Sequence, residues 1–505
     1  MRKPLAFLGG AVFVFSLLLS SCQSFEEVGQ IDEVNWNGEF ALPLAFGTLS
    51  MQDILDEVGD LSFLEINSDG TMQLIFEGDE ITKQSSEVLG SFPDFPVVIP
   101  ENSFSIPFPN YGAISIDELS LKTGTLAFEI RSQYTSDINF TITIPNLERD
   151  GVPFSISSTV PYNGSLPAVG RIDPVDLSGY VLDVSSDSLS LEYSATLDGQ
   201  DVEVGLITGL AENWTYETVT GSWARQQFPL AVDSVEMDIY DNWVDGDLSF
   251  ADPRLILTID NSFGFPSEAI IHSLMVRTLD NRLIPLESSA LRNGVSLDYP
   301  TINEQGQSKQ TTIVLDRNNS NIDEILNAQP IQIVYRVDAV VNPDNNSEVG
   351  FVSDQSAITV TLDAEVPVYG AAQDFTLEST SDLSIDEVDD IESAELKVTS
   401  SNGIPVDLDL QIYLADASGQ VIDSLFFISH DLLPAAQVDD NGDVTAASDK
   451  VEFFEIPRGL IDLLIYADQI IFHASFSTYN DGQEAVRLLS TQALDINLGI
   501  KVKTQ

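Results

Sequence analysis

The chain has 505 residues, 43% hydrophobic and 20% charged, with 80 Asp+Glu against 21 Lys+Arg and a formal charge of −59. That length implies three or four folding units, and that balance of residues implies a globular chain. So acidic a surface excludes nucleic-acid binding, which rests on Lys and Arg, and disfavours electrostatic docking on anionic lipid. It reads as a solvated acidic surface, with cation binding as the alternative.

Arg2 and Lys3 give the N-terminus a positive charge, and residues 5–19 form an apolar run too short to span a membrane comfortably. Leu19, Ser20, Ser21 and Cys22 follow. This string resembles the bacterial lipobox, in which an apolar and two small residues precede a cysteine that takes diacylglycerol. The resemblance implies a signal peptide over 1–21, lipidation at Cys22, and a membrane partner reached through the N-terminal lipid. Cys22 is the single cysteine, so no disulfide supports the fold. Glu26 and Glu27 resemble the acidic export signal of Bacteroidota surface lipoproteins. They imply an outer-membrane lipoprotein facing the cell exterior, with the periplasmic face as the alternative.

Residues 22–38 read as an acidic tether and 39–113 as a β-rich N-terminal segment. Ser50, Met51, Gln52 and Asp53 look like a capped helix start, and Gly59 like its stop. Asn67-Ser68-Asp69-Gly70 separates two apolar runs, 61–66 and 71–76, as a hairpin turn would. Pro93, Pro96, Pro100, Pro107 and Pro109 suggest an extended, strand-poor crossing.

From residue 114 onward, apolar and polar residues alternate, as in 125–130 and 139–144. That is the pattern of antiparallel sheets with one buried face. Asp150-Gly151, Asp198-Gly199, Asn441-Gly442 and Asp481-Gly482 sit between such runs as turns. In this part of the chain, helices are expected to be few and short, near 321–328 and 458–470. The fold class is therefore mainly β: tandem antiparallel sandwich-like or elongated sheet modules with few short helices. Modules are expected over 114–230, 231–372 and 373–505, the last after an acidic linker at 381–392.

A weak internal repeat runs through these modules. Leu257-Thr258-Ile259 leads to Gly264-Phe265-Pro266, a second apolar run and a turn at 280–282. Leu396-Lys397-Val398 leads to Gly403-Ile404-Pro405, another run and a turn at 416–419. Residues 126–130, 137–144 and 150–151 form a more degraded third copy; chance likeness among β segments is the alternative. The strand, Asn/Gly/Pro corner and strand of 257–266 resemble the opening of late-embryogenesis-abundant type 2 domains, and loosely the tubular lipid-binding proteins. More broadly, Phe40-Ala41-Leu42-Pro43, the 315–322 segment and Glu365-Val366-Pro367 resemble a group of multi-domain Bacteroidota outer-membrane lipoproteins. That resemblance implies location and β architecture, and carries over no functional residue except Cys22.

No catalytic constellation is present. His272, His430 and His473 lie in or beside apolar runs with no second ligand at metal spacing, so no zinc site is expected. Residues 437–443 have a glycine suited to a calcium loop, but Gln437 and Ser448 stand where its carboxylates belong, so a hairpin fits better. Pairs of acids abound and point to no glycosidase site. Trp36, Trp214, Trp223 and Trp243 suit core packing better than sugar stacking.

The expected protein is thus not an enzyme and needs no cofactor or metal. It is a lipid-anchored scaffold or binding subunit whose partner is an outer-membrane barrel or secretion assembly. The alternatives are a lipid carrier with an apolar β groove and a surface glycan-binding or glycan-degrading protein.

Overall fold

In the computed structural model, the described residues are 39–51, 63–90, 92–108, 114–237, 243–383, 391–426 and 430–504. Cys22, Glu26, Glu27, the signal and the tether lie outside them, as does the expected helix beyond Met51. The fold is mainly β, with antiparallel pairing throughout the named strands and, among the described residues, three short α-helices: α1 (Ser85–Val88), α2 (Ile322–Leu326) and α3 (Arg458–Leu464). The helix expected over 458–470 stops at Leu464. The residues after Gln469 alternate between partly and fully buried, which suits a strand.

Five strands precede the first sandwich: β1 (Glu39–Ser50), β2 (Leu64–Ile66), β3 (Met72–Glu77), β4 (Ile81–Gln84) and β5 (Phe95–Ile99). The first sandwich holds β6 (Ser103–Pro107), β7 (Ile114–Ser132), β8 (Ile138–Arg149), β9 (Val152–Val160), β10 (Ala168–Asp176), β11 (Val181–Asp183), β12 (Ser188–Leu197), β13 (Gln200–Asp201) and β14 (Leu206–Trp223). The second contains β15 (Gln226–Glu236), β16 (Trp243–Phe250), β17 (Arg254–Asn261), β18 (Ser267–Thr278), β19 (Leu283–Pro285), β20 (Val295–Leu297), β21 (Lys309–Leu315), β22 (Pro330–Val341), β23 (Val349–Ser353) and β24 (Ala357–Pro367). The third is built from β25 (Tyr369–Asp382), β26 (Ile391–Asn402), β27 (Leu408–Ala415), β28 (Val421–Ser424), β29 (His430–Leu433), β30 (Gln437–Val438), β31 (Val444–Ala446), β32 (Ser448–Pro457), β33 (Gln469–Phe476), β34 (Val486–Arg487) and β35 (Ala493–Thr504).

The three sandwiches share one strand order. The first layer runs β10-β7-β14-β5, then β21-β17-β24-β3/β4, then β32-β26-β35-β1. The second layer runs β9-β8-β12-β6, then β19/β20-β18-β22-β15, then β28/β29-β27-β33-β25. Each sandwich supplies seven of these positions from its own stretch of chain. The eighth, which pairs with β14, β24 or β35 in the first layer, comes from the N-terminal segment.

That segment therefore acts as a strap. Reading from the N-terminus, β1 completes the third sandwich against β35, β3 and β4 complete the second against β24, and β5 completes the first against β14. The chain then builds the sandwiches in the opposite order. The expected strand-poor crossing is corrected here, because Pro96 lies inside β5 and Pro107 ends β6. Both strands are edges, where a missing N–H costs no ladder bond.

The turns follow their sequence. Asp150 and Gly151 both have positive φ (54° and 75°) in a two-residue hairpin closed by Arg149 opposite Val152. Asp198 and Gly199 do the same between β12 and β13, and Asn67–Gly70 links β2 to β3. Alternation buries one face of each strand. Ile130, Ile142 and Ile144 in the first sandwich, Ile259 and Val337 in the second, and Leu410 and Phe472 in the third are all at most 1% exposed.

The repeat has a physical basis at its corner. Asn261 ends β17 fully buried; its Oδ1 accepts the Phe263 N–H (3.0 Å) and its Nδ2 donates to the Asp298 carbonyl (3.2 Å). Asn402 ends β26 at 2% exposure; its Oδ1 accepts the Ile404 N–H (2.9 Å), and its Nδ2 donates to the Val406 and Pro434 carbonyls (both 2.9 Å). In the degraded copy Ser132 ends β7, fully buried, and its Oγ accepts the Tyr134 N–H (3.1 Å). In every copy a short polar side chain bonds the backbone two residues on, which turns the chain from the first layer into the second.

The sandwiches are closely joined. Only Ala224 and Arg225 separate β14 from β15, and only Val368 separates β24 from β25. β23 of the second sandwich pairs with β14 of the first, and β16 pairs with β25 of the third. Trp223 lies against Phe265 (4.8 Å between centroids) across the first joint. Gly264 meets β23 at Phe351, and a Cβ there would fall 2.0 Å from the Phe351 ring. The acidic stretch 381–392 lies between β25 and β26 of the same sandwich, with 384–390 outside the described residues.

Candidate functional site: the outer faces of the second layers

Because the three sandwiches share an order, the same outer face can be compared three times. Inward residues of the second layer are apolar in every copy, and the outward residues differ in chemistry.

In the first sandwich the face is a lattice of hydroxyl and amide groups. β9 presents Ser155, Ser157 and Thr159, β8 presents Asn139, Thr141 and Thr143, and β12 presents Glu192, Ser194 and Thr196. Thr141 and Ser157 hydrogen-bond across the strands (2.7 Å), and Thr159 donates to the Asn139 Oδ1 (2.8 Å). An open groove of about 440 Å³ lies over Asn139, Thr141, Ser157, Thr159, Ser194 and Thr196.

The second sandwich places a charged cluster on this face. Asp338, on the central strand β22, is 6% exposed. Its Oδ2 accepts from His272 Nε2 of β18 (2.7 Å) and from Gln227 Nε2 of β15 (2.9 Å). Its Oδ1 is buried with no hydrogen-bond partner, and the nearest cation is Arg336, with Nε at 3.7 Å. Burial works to raise the Asp338 pKa. The hydrogen bonds from Gln227 and His272, with the charges of His272 and Arg336, outweigh it and hold the carboxyl below its ordinary value.

Two β-bulges flank this carboxylate. The register slips between Ile271 and Ser273 on one side and between Pro229 and Ala231 on the other. His272 is the extra residue of the first bulge, which turns its ring onto the outer face beside Asp338. Although His272 lies in an apolar run, its ring is half-exposed and paired with a carboxylate 66 positions away.

In the third sandwich the face carries Asp409, Gln411 and Tyr413 opposite Ser475, His473 and Ile471. Gln411 is buried under the Phe426 backbone, donating to its carbonyl (2.8 Å). His473 lies edge-on to Tyr413 (6.2 Å). Beyond the corner, burial and the nearby Asp409, Asp431 and Asp481 push Asp407 up to about 7, against the lowering effect of the Ser477 N–H it accepts (2.7 Å).

Other sequence candidates resolve plainly. Trp214 and Trp223 are buried, and the Trp214 Nε1 donates to the Thr125 carbonyl (3.3 Å), so both pack and neither offers a sugar platform. The side chains of Trp36, Trp243 and His430 lie outside the described residues. Residues 437–443 are β30 and the turn of the β30–β31 hairpin, and the turn is capped by Asp439 accepting the Asn441 and Asp443 N–H groups. Among the described residues, no group of three His, Cys, Asp or Glu side chains is placed to hold a metal ion. No helix among them is long and apolar enough to cross a membrane.

No family model matches the chain. No curated protein matches it either. Among solved structures, it is similar to a protein of Parabacteroides distasonis ATCC 8503 whose name marks it as a candidate for secretion. That likeness has 15% identity and a TM-score of 0.27, over 57% of this chain and 89% of that one. A second likeness is to infectious bursal disease virus, Gx strain, at 9% identity and a TM-score of 0.15, over 88% of this chain and 82% of that one. At these scores neither likeness bears on what the protein does.

Proposed function

We propose that this chain is a lipid-anchored outer-membrane protein, exposed to the cell exterior, that works without catalysis as a scaffold or binding subunit. Its anchor is Cys22, its export signal includes Glu26 and Glu27, and its partner is an outer-membrane barrel or secretion assembly. The observation that supports this most is the strap. The first strand after the tether is an edge strand of the third sandwich, so a lipid at Cys22 holds that sandwich nearest the membrane. The first sandwich then stands two joints away in the series, and the divergent outer faces become docking surfaces on a constant frame. Sheet faces bind without reactive groups, as this reading requires.

The test is mass spectrometry of the native protein extracted from outer membranes in mild detergent, alongside a Cys22→Ser variant. The natural protein should carry diacylglycerol on Cys22 and come out with a stoichiometric membrane partner, and the variant should lack the lipid and leave the membrane fraction without that partner. Unmodified Cys22, or a lipidated protein that always runs alone, would contradict it.

A second reading is favoured by the groove on the first sandwich: weak binding of an uncharged glycan through paired hydroxyls. A panel of neutral polysaccharides tests it by comparing the natural protein with Thr141→Tyr, which fills the groove. Equal binding by both would end it. A lipid carrier fits less well, because hydroxyl and amide side chains make up most of this groove's lining, with Phe140 the one apolar residue, and they suit an acyl chain poorly.

A further inference from the structure

We propose that His272, Asp338 and Gln227 form a divalent transition-metal site on the outer face of the second sandwich, of the kind that takes Zn²⁺. Three donor groups from three adjacent strands converge there. His272 Nε2 lies 2.7 Å from Asp338 Oδ2, the Gln227 side-chain amide lies 2.9 Å from the same oxygen, and that amide lies 3.4 Å from His272 Nε2. Atoms sharing one ion at about 2.0–2.2 Å stand roughly 3.0–3.5 Å apart, so the triangle needs only a small expansion. Rotating the Gln227 amide by half a turn presents its oxygen in place of its nitrogen.

Without an ion the Asp338 charge is poorly compensated: two donors share Oδ2, and Oδ1, buried without a hydrogen-bond partner, has only Arg336 Nε at 3.7 Å. An ion held by Oδ2 would neutralise a carboxylate that is 6% exposed and would replace the proton on Nε2. The flanking bulges fix the approach of His272, and the half-exposed imidazole leaves the remaining coordination positions to water. The strongly negative chain concentrates cations around it.

The test is calorimetric titration of the full chain bearing Cys22→Ser with ZnCl₂, in excess Ca²⁺ to occupy weak acidic sites. One equivalent should bind. His272→Ala and Asp338→Asn should each weaken binding at least about tenfold, and Gln227→Ala a few-fold. Because Asp338→Asn could disturb folding, the unsubstituted protein gives a second readout. Diethyl pyrocarbonate should modify His272 in the metal-free protein, and stoichiometric Zn²⁺ should protect it. Unchanged Zn²⁺ affinity in His272→Ala, or modification of His272 indifferent to Zn²⁺, would overturn the site.

Discussion

The corners and the outer faces of the three sandwiches teach opposite lessons. At each corner a buried polar side chain ends one strand and bonds the backbone two residues on, as Asn261, Asn402 and Ser132 do. The outer faces share strand order and nothing else: hydroxyls in the first, a His–Asp–Gln cluster in the second, and a Tyr–His pair in the third. Corner chemistry is dictated by the fold, because a buried backbone group without a partner costs free energy in every copy. Face chemistry is free of that constraint, so binding can differ there while the frame stays the same.

Substitutions at corner and face separate the two. Asn402→Ala removes three hydrogen bonds at a buried position and should cost about 3 kcal/mol, read as a lower urea midpoint. Asn261→Ala removes two and should cost about 2 kcal/mol. Equal losses at both corners would mean that something other than these bonds sets the price of the turn.

Asp407, just beyond the third corner, sharpens the picture through pH. Its folded pKa, about 7, lies above the ordinary carboxylate value, so the fold keeps the proton that the unfolded chain has released. Its contribution is complete below about pH 4 and is lost as pH rises through 7. Asp407→Asn should therefore raise the urea midpoint at pH 8 and leave it nearly unchanged at pH 4. A gain of the same size at both pH values would remove Asp407 titration as the cause.

Ser132→Ala, which removes one bond at the degraded corner, should cost about 1 kcal/mol. Thr141→Val on the hydroxyl face should change stability by no more than about 0.5 kcal/mol. If that face change cost as much as a corner change, the division between frame and face would fail.

Much of the frame was legible in the sequence, for reasons that are local. Alternation marks a half-buried strand, and an Asp-Gly or Asn-Gly pair marks a turn needing positive φ, so β8, β9 and their hairpin could be read directly. The Gly-apolar-Pro strings at 264–266 and 403–405 marked the corners, although the asparagines before them carry the bonds. The strap could not be read. Nothing in residues 39–50 records that they pair with 493–504, because edge pairing is set by backbone groups that every sequence possesses. The His272–Asp338 cluster was hidden for a similar reason: a bulge shifts which residues share a face, and bulges leave no clear sequence mark.

One N-terminal strap completes three copies of one sandwich in reverse order. Disulfide trapping in a Cys22→Ser background tests it directly, using cysteine pairs at Thr48 with Asp495, Thr82 with Thr359, and Val98 with Thr208, one for each sandwich. All three pairs should close within a single chain under mild oxidation. A pair that stays open, or that links two chains instead of one, would contradict it.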